Sequence, residues 1–97
     1  MPTTVRRIIA ATAREFGLAA KELVGNNRAY RVAQPRAITV LLSRQLTKAS
    51  FAQIGKELGG RDHSTCHHLY HAGHKLIRDD EMFERYLRIL DAARHTL

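Results

Sequence analysis

The chain has 97 residues, room for a single domain with one small core. Sixteen Lys and Arg against nine Asp and Glu give a formal charge of +7, which favours a polyanion as partner: nucleic acid first, an anionic membrane surface second. A 44% hydrophobic content argues against wholesale disorder, the single cysteine excludes an internal disulfide or a Cys-only zinc site, and no apolar run approaches the ~20 residues of a membrane-spanning helix.

Apolar residues recur at helical spacing and no clean period-2 strand appears, so the expected fold is all-α, with five or six helices in one domain over residues 1–97. Thr3 or Thr4 can cap a first helix whose face is Val5, Ile8, Ile9, Thr12, Ala13 and Phe16, with Gly17 ending it. A short helix from Ala19 to Val24 closes at Gly25. Asn26 to Gln34 read as a polar, basic connector, and Pro35 fits the first turn of a third helix, where its missing N–H costs nothing. Ile38, Leu41, Leu42 and Leu46 would be that helix's buried stripe. Ser50-Phe-Ala-Gln53 is a capping-box pattern opening a fourth helix, with Ile54 and Leu58 inward and Gly59-Gly60 breaking it. Asp62 can cap a fifth helix from His63 to Ile77. Asp79 or Asp80 can cap a sixth, carrying Met82, Phe83, Tyr86, Leu87 and Leu90.

Two short helices joined by a Gly-containing turn, in a basic all-α chain, suggest a helix-turn-helix, here Ser50–Leu58 and His63–Ile77. Residues at the N-terminus of a recognition helix reach base edges in the major groove. Arg61, Asp62, His63, Ser64 and Thr65 occupy that place, and their chemistry suits it. A carboxylate accepts from base amino groups, imidazole and hydroxyl donate or accept, and a threonine methyl can touch the thymine methyl. The rival reading is an Asp62 that only caps and neighbours that only face solvent. Charge distribution weighs against it. Between Asn26 and Arg61 lie seven basic residues (Arg28, Arg31, Arg36, Arg44, Lys48, Lys56, Arg61) and one acid, Glu57, whereas Asp79 to Asp91 is net −3. Phosphate clamping needs such polarisation. Arg28 and Arg31, in the connector, could enter a narrow A·T-rich minor groove, where the negative potential is enhanced.

Gly59-Gly-Arg-Asp-His-Ser-Thr65 closely resembles the signature of the C-terminal DNA-binding domain of the bacterial replication initiator DnaA. Ser50 to Leu58 is similar to the first helix of that domain's helix-turn-helix, Gln34 to Thr47 to the helix before it, and Thr4-Val-Arg-Arg-Ile-Ile9 with Phe16 and Leu23-Val24 to its opening. The resemblance implies sequence-specific binding of double-stranded DNA at A·T-rich DnaA boxes, tied to replication initiation or its regulation. It places Arg28 in the minor groove, Asp62, His63 and Ser64 on major-groove bases with Thr65 beside them, and Arg44 and Arg61 on DNA or its phosphates. His68 matches the family's histidine. Cys66-His67, Leu69 and Ala72-Gly73 depart from the family pattern behind this front.

The expected mechanism is non-enzymatic and cofactor-free: Arg44, Lys48, Lys56 and backbone amides hold phosphates while the front of the fifth helix reads bases. One copy would read an asymmetric site, in the cytoplasm at the nucleoid, competing with or assisting a full-length initiator. No phosphate loop of the ATPase type is present in the sequence, so the chain is expected to be an excised or free-standing domain. The rivals are a small transcription regulator with its own operator and a protein-interaction module that has lost specific DNA binding. His63, His67, His71 and His74 share roughly one helix face and are read as a titratable surface rather than a built metal site. Cys66 is read as a core residue rather than a nucleophile, and Tyr30 as either stacking on nucleic acid or packing inward.

Overall fold

In the computed structural model, residues 3–26 and 30–95 are described, Tyr30 by its backbone only. Six helices follow one another: α1 (Val5–Glu15), α2 (Ala20–Val24), α3 (Tyr30–Leu46), α4 (Phe51–Glu57), α5 (His63–Leu76) and α6 (Asp80–Arg94). Arg28 and the side chain of Tyr30, both singled out from the sequence, lie outside the described residues.

Local capping chemistry sets four of the starts. The Thr4, Ser50, Asp62 and Asp79 side chains accept from the backbone N–H of Arg7, Gln53, Thr65 and Met82. Gln53 reaches back to the Ser50 N–H at 2.8 Å, completing the capping box read from the sequence. Each such acceptor satisfies an N–H that the first helical turn leaves without an intrahelical partner.

The third helix differs from the expectation twice. It starts at Tyr30, five residues before Pro35, so Arg31 stands on a helix rather than in a connector. Pro35 removes one bond of the second turn, and tertiary packing outweighs that loss: Val32 is fully buried ahead of it and every residue from Pro35 to Ser43 is buried. The predicted stripe is therefore too narrow. With all its faces covered between residues 35 and 43, α3 is the axle of the fold.

Two cores lie on this axle. Val5, Ile9, Ala13, Leu23, Val40, Ile54, Leu58 and Cys66 pack α1, α2, α4 and α5 on one side. Ile8, Ile38, Leu41, Leu42, Tyr86, Ile89 and Ala93 pack α1 and α6 on the other, with Tyr70 of α5 touching both. The inward face of α6 is Tyr86, Ile89 and Ala93, while Phe83 and Leu87, also among the apolar residues this helix carries, are 41% and 44% exposed. Glu15 ties α1 to α6 through Arg88 at 2.8 Å and Arg85 at 3.7 Å.

Gly73 sits at a close helix crossing. It is buried where α5 crosses α3, and a Cβ there would stand 2.8 Å from the Ala37 carbonyl oxygen and 3.0 Å from the Leu41 Cβ. Gly73→Ala, which helix propensity alone would favour by about 1 kcal/mol, is expected to destabilise the domain by roughly 1–3 kcal/mol. Chemical denaturation of the two proteins measures the difference.

The Asp62 cap carries a pH signature. The Thr65 backbone N–H, followed by the Thr65 hydroxyl, holds the Asp62 carboxyl below its ordinary value. A depressed folded-state value means that the cap stabilises the ionised form, so its contribution is present above the unfolded carboxylate value and lost as pH falls from there through the lower folded value. Melting temperatures followed from pH 6 to about pH 2.5 are expected to fall less for Asp62→Asn than for the unaltered chain, since Asn keeps an acceptor and has no charge to lose.

Candidate nucleic-acid interface

The turn between α4 and α5 is built from close backbone approach. Gly59 and Gly60 take φ of +81° and +86°, the left-handed region that a side chain disfavours. The chain folds back so tightly that the Gly55 carbonyl accepts from both the Gly60 and Arg61 N–H groups, at 3.0 and 2.9 Å. A Cβ on Gly55 would lie 1.9 Å from the Arg61 carbonyl oxygen, so Gly55, in the middle of α4, is as necessary to the turn as the glycine pair.

Arg61 locks this turn to α2. Its guanidinium donates to the carbonyls of Leu58, Val24 and Gly25, the last at 2.7 Å. Arg36 arrives from α3 and donates to the Leu23, Glu22 and Gly25 carbonyls at 2.8, 2.9 and 3.0 Å. The C-terminal carbonyls of α2 and α4 are thus satisfied by two arginines, at helix ends where the dipole favours cations. Burial, and then the charge of Arg61, lowers the affinity of Arg36 for its proton. Arg36 and Arg61, both counted toward a phosphate-binding surface, are therefore turned onto the carbonyl ends of the protein's own helices.

Past this lock the front of α5 projects freely. Asp62, His63, Ser64 and Thr65 are exposed, and His68 is exposed one turn further along. Cys66, Leu69, Tyr70 and Gly73, at successive helical spacings, point toward the core. Burial raises the Cys66 thiol above its ordinary value, in keeping with a core residue. The Asp62 carboxylate is already engaged by the Thr65 N–H at 2.8 Å and by the Thr65 hydroxyl and Ser64 N–H, and its acceptor capacity beyond these faces outward for an outside donor.

The cations of α3, the α3–α4 linker and α4 have distinct placements. Arg44 is exposed at the end of α3, lies over the Phe51 ring at 4.6 Å and donates to the Ala49 carbonyl at 2.9 Å. These contacts hold its guanidinium at the start of α4. Lys48 and Lys56 are exposed and line one open groove with Thr4, Arg6 and Gln53, and Glu57, paired with Arg6 at 3.1 Å, lies on the same groove. Such an exposed pair contributes about 1 kcal/mol or less. Arg31, also exposed, pairs with Glu22, whose other carboxylate oxygen accepts from the Ala19 N–H. From the sequence Arg61 reads as a contact to DNA or its phosphates and Arg36 as one of the basic segment's cations, and Gly55 carries no mark. The signals for all three are tertiary, because the carbonyls and the chain turn they serve lie far away in sequence or only in space.

The sequence that folds into this helix-turn-helix has counterparts among known proteins. A family model described as "Bacterial dnaA protein helix-turn-helix" matches residues 5–72. The chain is 33% identical over 86 residues to the chromosomal replication initiator protein DnaA of Bartonella quintana, covering 89% of the chain and 17% of that protein. It is 36% identical over 86 residues to the same-named protein of Rhizobium johnstonii, again 89% and 17%, and 45% identical over 67 residues to that of Cutibacterium acnes, covering 69% and 13%. The chain therefore spans about one sixth or less of the length of these relatives. The match from the start of α1 into α5, together with the glycine turn and the exposed front of the helix that follows it, places the chain in the bacterial DnaA helix-turn-helix family.

Proposed function

We propose that this domain binds double-stranded DNA sequence-specifically, at A·T-rich sites of the DnaA-box type, in replication initiation or its control. The observation that carries the reading is the exposed front of α5, Asp62 to Thr65, held on a turn that Arg61 and Gly55 fix to the body of the domain. A recognition element needs rigid support and free polar tips, and this one has both. His63, Ser64, Thr65 and the free lone pairs of Asp62 read base edges, with His68 one turn behind them. Arg44, Lys48 and Lys56 hold phosphates beside that helix, and the N-terminal end of α5 offers backbone N–H groups and a positive dipole end to the same backbone.

Arg28, which the family resemblance assigns to the minor groove, remains part of this reading, as does Arg31 on α3. Arg31 must exchange Glu22 for a phosphate or base to take part. Arg61 acts by holding the turn. One copy per site, and competition or cooperation with a full-length initiator, complete the proposal.

Three variants separate these roles. In fluorescence anisotropy with a DnaA-box duplex and a scrambled duplex, His63→Ala is expected to lose about 1–3 kcal/mol on the box and little on the scrambled sequence. Arg44→Ala is expected to weaken both duplexes equally and to lower the slope of log K against log salt by about one unit. Equal losses on both duplexes for His63→Ala would overturn the reading role of α5.

Arg61→Ala is expected to lower the melting temperature markedly, because several carbonyls lose a charged donor at once, each such hydrogen bond contributing about 1.5–3 kcal/mol. Thermal unfolding by circular dichroism measures this, and a variant that melts like the unaltered chain would return Arg61 to the phosphate-binding set. Selection from a random duplex library tests the site itself. Recovery of a DnaA-box-like sequence supports the proposal, recovery of an unrelated sequence assigns a regulator with its own operator, and no enrichment assigns a protein-interaction module.

A further inference from the structure

Behind its front, α5 carries His67, His68, His71 and His74. Two of these, one turn apart, face each other: the Nε2 atoms of His67 and His71 are 3.3 Å apart and the ring centroids 4.5 Å. Two imidazole nitrogens bound to one tetrahedral divalent ion at about 2.05 Å stand about 3.3–3.4 Å apart. The rings therefore already have the nitrogen spacing that such an ion requires.

Neighbouring rings hold this arrangement. Phe51, projecting from α4, meets His67 edge to face at 5.4 Å, and Tyr70 meets His71 in the same manner at 5.5 Å. Both histidines are exposed, so an ion has a path from solvent. We propose that His67 and His71 form a two-nitrogen chelate for a borderline divalent transition metal, Cu²⁺, Ni²⁺ or Zn²⁺, on the exposed side of α5. This goes beyond the DNA-binding reading and does not rest on it.

The chemistry of the pair fits that class. Neutral imidazole suits zinc, copper and nickel, whereas Mg²⁺ and Ca²⁺ require oxygen donors. In the metal-free pair one Nε2–H donates to the other Nε2; in the chelate both rings carry the proton on Nδ1, and the ion takes the place of the shared hydrogen. Among the described residues no group of three or more His, Cys, Asp or Glu gathers round one point. Water fills the remaining positions, and affinity follows the Irving–Williams order, Cu²⁺ above Ni²⁺.

Calorimetric titration of the untagged chain with NiCl₂, then ZnCl₂, tests the assignment without DNA. One saturable site per chain is expected. His67→Gln and His71→Gln should each weaken it by about tenfold or more, with His74→Gln changing it less than about twofold. Imidazole NMR of the unaltered chain gives a second readout, with Ni²⁺ broadening or Zn²⁺ shifts greatest at His67 and His71. The proposal is overturned by the absence of a saturable site, by an undiminished affinity in His71→Gln, by an equal loss in His74→Gln or His63→Gln, or by shifts spread evenly over the histidines.

Discussion

Two arginines on the carbonyl ends of two short helices hold this domain in its working shape. A five-residue helix such as α2 has little cooperativity of its own, and its terminal carbonyls would otherwise need water in a crowded place. Arg36 enters from the central helix and Arg61 from the turn before α5, and they converge on the Gly25 carbonyl at 3.0 and 2.7 Å. Like charges so close repel, yet both guanidinium groups face the negative ends of helix dipoles and find several acceptors each. The result is a three-way joint between α2, α3 and the α4–α5 turn. What the front of α5 can touch depends on that joint.

Elements whose limits are decided by near neighbours were legible in the sequence. Ser50 with Gln53 and Asp62 before His63 satisfy N–H groups within three residues and are the starts read from the pattern, and of the two candidates for the sixth helix Asp79 is the cap. Pro35 misled because its local cost is visible and the packing that outweighs it is not. Periodicity also understated α3, since burial on all faces removes the contrast between stripes that periodicity detects. On α6 two apolar rows compete, and only contact with α1 and α3 decides that Tyr86, Ile89 and Ala93 go inside while Phe83 and Leu87 face out.

The candidate site was legible as a motif and less so as a surface. Polar residues at the head of a helix after a double glycine can be read as a string, and the structure finds Asp62 to Thr65 exposed there. Net charge cannot tell which cations face outward. Arg36 and Arg61 share a formal charge with Lys48 and Lys56, and only their surroundings separate a structural guanidinium from one available to an outside anion. The glycines divide similarly. Gly59 and Gly60 announce a turn, whereas the need for Gly55 and Gly73 arises from backbone and side-chain atoms of other segments.

Cys66 lies fully buried directly beneath the exposed face of α5. It is the sole thiol of the chain, and burial keeps it in the unreactive protonated form. An alkylating reagent can reach it only when the helix lifts from α3 and α4. The domain thus contains its own clock for local opening: the rate at which this sulfur is modified reports how often α5 leaves its seat, and any ligand that fastens the helix will slow that clock.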